Sequence, residues 1–438
     1  MASFECVFTS DSEEKLWNTC AWDIVTGSVL KIYKGENSAP RTLCMIGSDY
    51  LIGAHPNKPV LHTWALGRSD SCQPKQICPG KVSALTVSPD GAHCIAGIQE
   101  KIFIWQICTG DLLAILSLHF QCVTCLRFSD DSCHFVSSSR DGQVIAWDLN
   151  AAVTPRLTGG TPDPMHVWSY HSNDVTDLYV GLGGINARVM SCSLDQTCRV
   201  YELHSGEQLL EVVLDSSLTA IVADAAESNV FVGGLTGAIY QVALYSADPS
   251  SQQGSAFAGH SARVTCLSVS IDGQLLVSGS EDRTARIWDI PSKQCIQVLQ
   301  HKGHITNAFV APTPLQLQTV KGSFAPLFPL AKLKSSVDAE GRRGFIPVNL
   351  ATVLQKTPLR VTEDDYANHK LYERMLATTA NEDGEDEDEG DEDGVAEMLT
   401  VEDLIKEVAR LKQVNQQLYD FAVNRVINTQ QEGSVDTP

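Results

Sequence analysis

The sequence predicts an all-β fold: a seven-bladed β-propeller closed by a C-terminal strand, followed by a C-terminal α-helix of coiled-coil type. Three observations predict it. An apolar strand ending in Trp or Tyr returns seven times along the first 289 residues. A His, Ser, Asp and aromatic quartet keeps near-constant spacing in three of those returns. Steps of three and four between apolar residues begin only after residue 400.

The seven returns end at Trp22-Asp23, Trp64-Ala65, Trp105-Gln106, Trp147-Asp148, Tyr201-Glu202, Tyr240-Gln241 and Trp288-Asp289. Their separations of 42, 41, 42, 54, 39 and 48 residues match a four-stranded blade of about 40–45, with insertions at two places. Turn signals bound the strands, among them SPDG (88–91), SRDG (139–142) and SIDG (270–273).

The finer signal lies inside the blades. His119, Ser137, Asp141 and Trp147 are spaced 18, 4 and 6 apart, and so are His260, Ser278, Asp282 and Trp288. His171, Ser191, Asp195 and Tyr201 keep 4 and 6 but open with 20, two extra residues falling in GLGGINA (181–187). This is the tetrad that marks WD-repeat blades, so the ring is read as a seven-bladed WD-repeat β-propeller. In it the Asp takes a hydrogen bond from the His, the His meets the Ser, and the Ser meets the aromatic donor. A Tyr still offers a donor, with altered geometry. A Ser-His-Asp trio also describes a hydrolase triad. Three copies at repeat spacing, each tied to an aromatic and none with a GxSxG elbow, exclude that reading. No catalytic residue, cofactor site or metal site is expected.

Ring closure follows from the first return, which comes too early for a whole blade. Residues 4–9, 15–22 and 28–33 supply three strands, and KGHITNAFVAP (302–312) resembles the loop His and innermost strand of GHSARVTCLSV (259–269). Residues 304–311 are therefore expected to complete the first blade, because an open ring would expose strand edges. The propeller is placed at 1–312.

Residues 313–394 form a Pro-containing and acidic linker. FAPLFPLAKL (324–333) and FIPVNLATVL (345–354) are too apolar for a plain spacer, and EDGEDEDEGDED (382–393) carries ten carboxylates without a cation. That run accounts for nearly half of the net charge of −21, a balance that opposes charge-driven nucleic-acid binding over the whole surface. The helix is placed at 395–428. Thr400 and Asp403 make a T-x-x-D cap, and Val401, Leu404, Val408, Leu411, Asn415 and Leu418 trace an a/d seam. Asn415 at an a position suits register selection, and three heptads alone are marginal, so the helix is read as self-associating or partner-bound.

Composition agrees with this architecture. Nothing approaches the roughly 18 apolar residues that span a membrane, and the N-terminus lacks a secretory pattern. Fourteen scattered cysteines read as reduced thiols of the cytosol or nucleus. Cys122-Val-Thr-Cys125 is read as strand rather than chemistry, because VTCLRF (123–128) recurs as VTCLSV (264–269) and sets Cys125 and Cys266 at one repeat position.

On CPGKVSALTVSPDG (78–91), SLDQTCRVYELHSGE (193–207), residues 259–296, KGHITNAFV (302–310) and LIKEVARLKQVNQQLYDF (404–421), the chain resembles the rixosome subunits of the WD-repeat family. The likeness covers nearly all of it, least at 313–400. The resemblance implies a non-catalytic scaffold subunit of the nuclear rixosome. Such subunits act in pre-rRNA processing at the second internal transcribed spacer and in maturation of the large ribosomal subunit. Implied partners are a proline-, glutamate- and leucine-rich scaffold protein, a helical-repeat subunit, the AAA ATPase midasin, a SUMO-specific protease, an endoribonuclease–polynucleotide kinase pair and pre-ribosomal particles. It also implies a homodimer through the terminal helix, in the nucleolus and nucleoplasm with a cytoplasmic share. A transcription or chromatin adaptor working with the SUMO-specific protease is the alternative. A cullin-ligase receptor is a weaker one, since Trp147-Asp148-Leu149-Asn150 and Trp288-Asp289-Ile290-Pro291 lack the Arg of WDxR.

Overall fold

The computed structural model describes residues 5–13, 19–35, 37–68, 75–154, 162–245, 256–314, 317 and 330–334. The helix expected at 395–428, with Val401, Leu404, Val408, Leu411, Asn415 and Leu418, and the acidic run 382–393 lie outside them.

Seven four-stranded antiparallel sheets make the ring. From innermost to outermost strand, blade 1 is Ile305–Pro312, Glu5–Asp11, Thr19–Asp23 and Val29–Tyr33. Blade 2 is Cys44–Ile46, Tyr50–Ala54, Val60–Ala65 and Gln76–Ile77, and blade 3 is Val82–Val87, His93–Ile98, Lys101–Gln106 and Leu112–Leu116. Blade 4 runs through Val123–Phe128, His134–Ser139, Val144–Asp148 and His166–Trp168, and blade 5 through Val175–Val180, Arg188–Ser193, Thr197–Glu202 and Gln208–Val213. Leu218–Ala223, Asn229–Gly234, Ile239–Ala243 and Ala256–Phe257 form blade 6. Val264–Val269, Leu275–Ser280, Thr284–Asp289 and Cys295–Gln300 form blade 7.

All seven aromatic endings fall on the third strand of a blade. Alternation along a strand sends successive side chains to opposite faces, and here both faces are buried, each against a neighbouring blade. In blade 7, Val277 and Ile287 pack toward blade 1, while Leu276 and Trp288 pack toward blade 6. The buried apolar residues accordingly fall into seven clusters, one at every blade junction. The core is a ring of interfaces rather than a central ball. A one-residue slip in any strand would exchange its two neighbours' packing, so register is fixed twice over.

Closure comes from the far end of the chain. Ile305–Pro312 pairs antiparallel with Glu5–Asp11, from Glu5 opposite Pro312 to Asp11 opposite Ile305. Phe8 stacks on Phe309 with centroids 5.2 Å apart. Between Trp147 and Tyr201 lie a short helix, Leu149–Val153, and a single-turn 3-10 insertion, Gly184–Asn186. Asp130 holds that insertion by accepting from the Gly183 and Gly184 amides at 3.1 and 2.6 Å. Gly183 has φ of 118°, which glycine alone adopts without strain.

Within the stretch read as linker, Leu330–Lys334 packs against the rim of blades 2 and 3, with Leu333 buried among Ala65, Phe103 and Trp105. Among the described residues, no helix is long and apolar enough to cross a membrane.

Candidate functional site

The three tetrads assemble across each blade's middle strands. In blade 4, Trp147 Nε1 donates to Ser137 Oγ at 2.9 Å, and Ser137 Oγ lies 2.8 Å from His119 Nε2. His119 Nδ1 is 3.2 Å from Asp141. Blade 7 repeats this with Trp288, Ser278, His260 and Asp282 at 2.8, 2.7 and 2.8 Å. An indole only donates and a carboxylate only accepts, so Ser receives the indole N–H and Nδ1–H donates to Asp. In blade 7 a neutral imidazole completes the chain, with Ser278 donating to Nε2 of His260.

Electrostatics agree. Burial, against the pull of Asp195 and Asp282, holds the imidazoles of His171 and His260 below their ordinary value. Burial works to raise the carboxyls of Asp141, Asp195 and Asp282. Hydrogen bonds from the histidines, from Thr197 and Thr284, and from main-chain amides outweigh it and leave all three below the usual range.

A pH dependence follows. Below about 6.5 the unfolded chain binds protons at positions 171 and 260 that the folded chain refuses, so stability falls as pH drops. The carboxylates contribute only at lower pH, where acid begins to protonate the unfolded chain near 4 and then the native carboxylates. The unfolding free energy from urea titrations should decline from pH 7.5 to 5.5, by up to about 1.4 kcal/mol per pH unit per histidine, and the midpoint with it. A midpoint rising over that interval would contradict neutral buried imidazoles.

In blade 5, His171 meets Ser191 at 2.7 Å and Asp195 at 3.0 Å. Tyr201 serves less well than an indole: its buried Oη makes no well-formed hydrogen bond, although the Ser191 hydroxyl lies near enough to ease the rise that burial imposes on the phenol. The ring itself is held by stacking, 4.6 Å from Trp168.

Two kinds of residue escaped the sequence reading. Thr197 and Thr284, two positions after the Asp, donate to Asp195 and Asp282 at 2.6 Å. The D-x-T in LDQT and EDRT was their signal. Blade 1 also carries a fourth network across the closure. Trp22 Nε1 donates to Thr9 Oγ1 at 2.7 Å, Thr9 lies 3.2 Å from His301 Nε2, and His301 Nδ1 is 3.7 Å from Asp11. The loop His of the closing segment is therefore His301, not His304. His301 stands four positions before Ile305, as His260 stands four before Val264. His304 instead contacts the main-chain carbonyl of Glu281.

The distances in these networks would suit a Ser-His-Asp triad, but access does not. Ser137, Ser191 and Ser278 are 0% exposed. A hydroxyl that already receives an indole N–H and gives its proton to His has no room for an acyl group.

The inner strands enclose a channel of about 560 Å³ to which all seven blades contribute. A belt of hydroxyl-to-carbonyl bonds runs around it: Ser83 to Val123, Thr124 to Val175, Thr176 to Leu218, Thr219 to Val264 and Thr265 to Ile305, at 2.6 to 2.9 Å. Each joins one blade to the next. At the closure Asn307 replaces the hydroxyl, donating to Ala39 and accepting from the Thr42 amide. Arg41 crosses the bore from blade 2, donating to the Thr219 carbonyl at 2.7 Å and pairing with Asp177 at 3.3 Å. Asp177 also accepts from the Ile221 amide and the Cys125 thiol, and Arg127 lies at 4.0 Å. Burial pushes the Cys44, Cys125 and Cys266 thiols up to about 11, so they stand as thiols rather than nucleophilic thiolates. Among the described residues, no group of three His, Cys, Asp or Glu side chains is placed to hold a metal, and the described cysteines are free.

A closed ring of seven antiparallel blades, fastened by His–Ser–Asp–Trp networks, defines a WD40-type propeller. The profile of the family "WD domain, G-beta repeat" matches residues 110–148 and 251–289, the two blades with complete Trp tetrads. Over 96% of its length the chain is 38% identical to WD repeat-containing protein 18 of Danio rerio, covering 98% of that protein. It is 37% identical to the Homo sapiens protein of the same name at the same coverage. The chain belongs to the WD repeat-containing protein 18 family. A more distant relative, pre-rRNA-processing protein pro-1 of Caenorhabditis elegans, is 27% identical over 67% of this chain and 58% of its own length.

Proposed function

We propose that this protein is a non-catalytic scaffold subunit of a nuclear rixosome-type assembly. In that role it supports pre-rRNA processing at the second internal transcribed spacer and maturation of the large ribosomal subunit. The observation that carries the reading is kinship over nearly the full length to WD repeat-containing protein 18, joined by a pre-rRNA-processing relative. The geometry supports a platform, since every Ser-His-Asp group is buried and the channel is crossed by Arg41.

On this reading the ring docks a proline-, glutamate- and leucine-rich scaffold and a helical-repeat subunit. Through them it works with midasin, the SUMO-specific protease, the endoribonuclease–polynucleotide kinase pair and pre-ribosomal particles. The seam Val401, Leu404, Val408, Leu411, Asn415 and Leu418 pairs with its own copy, in the nucleolus and nucleoplasm.

Affinity purification of the full chain with mass spectrometry tests this. Pre-ribosomal factors are the expected harvest; a cullin adaptor in their place would sink it. Light scattering tests the seam. The wild type should be dimeric and a Leu404→Asp/Leu411→Asp variant monomeric, and one monomeric mass for both would end the dimer proposal.

A further inference from the structure

Outer strands do two things in this ring. They pair with the third strand of their own blade, and their side chains cover a turn of the next blade. Trp168 of blade 4 donates to the Gly206 carbonyl of blade 5 at 2.7 Å, and Gln297 of blade 7 donates to the Thr26 carbonyl of blade 1 at 3.1 Å. The described outer strand of blade 2, Gln76–Ile77, pairs with Val60 and Leu61, as the Ala256–Phe257 strand of blade 6 pairs with Ile239 and Tyr240, whereas the outer strands of blades 5 and 7 pair five residues each. Beside Gln76 a groove opens between blades 2 and 3.

Chain from beyond the ring occupies the gap. Gln76 clasps it through both ends of its amide, donating to the Ala331 carbonyl at 3.0 Å and accepting from the Leu333 amide at 2.8 Å. Leu333 is 9% exposed, sunk between blades 2 and 3. The Lys334 amide donates to Gly110 at 2.7 Å, and its carbonyl accepts from Trp105 Nε1 at 2.9 Å. Its ammonium pairs with Asp111 at 2.7 Å. Gly110, at φ of 73°, has the Lys332 carbonyl so close that any side chain there would collide with it. Blade 3 has no Ser below its Trp, so this borrowed carbonyl satisfies the indole.

We propose that the groove between blades 2 and 3 is a peptide-binding site for an extended Leu-Lys segment. Residues 330–334 fill it in the free chain, clasped by Gln76 of blade 2's outer strand. Recognition rests on one apolar pocket, one amide clasp, one indole donor and one carboxylate, and it reads main chain as much as side chain. The cooperative unit of the ring then runs through Lys334.

The test uses the full chain and its indole N–H exchange followed by NMR. Gln76→Ala and Leu333→Asp should each speed exchange at Trp105 at least tenfold and leave Trp147 unchanged. A blocked Leu-Ala-Lys-Leu-Lys peptide, added to Leu333→Asp, should bind and restore Trp105 protection. The wild type, its groove already filled, should ignore the same peptide. Should Leu333→Asp fail to fold, Gln76→Ala decides. Unchanged Trp105 exchange in the folded variants, or a peptide that restores nothing, overturns the proposal.

Discussion

A chain stopped at residue 300 should yield no soluble ring. It loses the whole of Ile305–Pro312, hence the innermost strand of blade 1, the Phe309 stack on Phe8 and the Asn307 bonds to blade 2. Glu5–Asp11 is left as an unpaired edge facing the channel, with Val7 and Phe8 uncovered on its two faces. Such an edge is a template for another chain. The expected result is aggregation or retention by chaperones, measured by size exclusion beside the full chain. Monodisperse 1–300 protein with a cooperative unfolding transition would refute the closure scheme.

The second large effect concerns one hydroxyl. Ser278→Ala strips the acceptor from Trp288 Nε1 and the donor from His260 Nε2, both buried. At about 1–3 kcal/mol for each orphaned group, the loss should be roughly 2–6 kcal/mol. Ser191→Ala removes the bond to His171 and only a poorly formed contact with Tyr201 Oη, and should cost about half as much. Urea unfolding of the two variants measures the difference. Equal losses would show that the Trp bond carries no weight, and a loss under about 0.5 kcal/mol at Ser278 would discredit the network as a fastener.

Much of this was legible in the sequence, for a definite reason. Repeat proteins write each local contact several times, so a spacing of 18, 4 and 6 seen twice identifies a network built twice, in blades 4 and 7. The seven aromatic endings gave the blade count, and the segment after residue 300 gave the closing strand to within one residue. What stayed hidden was written once, or across a long separation. Thr9 and His301 lie 292 residues apart, and Thr replaces Ser, so no local spacing pointed to them. Gln76 meets Leu333 across 257 residues through main-chain atoms that every residue possesses. The belt is an intermediate case. Val-Ser or Val-Thr, Leu-Thr and Ile-Thr open six inner strands, and the repetition was visible. Its meaning was not, because the acceptor carbonyl belongs to the next blade.

The belt and the four networks also divide labour. Networks fasten the strands within a blade, and belt bonds fasten blade to blade. Arg41 adds a third kind of tie, across the bore to blades 5 and 6.

The joining of both chain ends in one sheet sets a timetable for the protein's birth. Glu5–Asp11 leaves the ribosome roughly 300 residues ahead of its partner Ile305–Pro312. At about 5–20 residues per second, the first strand waits on the order of 15–60 s for its mate. Six blades are synthesised in that interval, each able to form its own hairpins. The nascent chain therefore spends that interval as an open arc, and keeping the first strand unpaired until residue 312 emerges is a demand that this topology places on the cell.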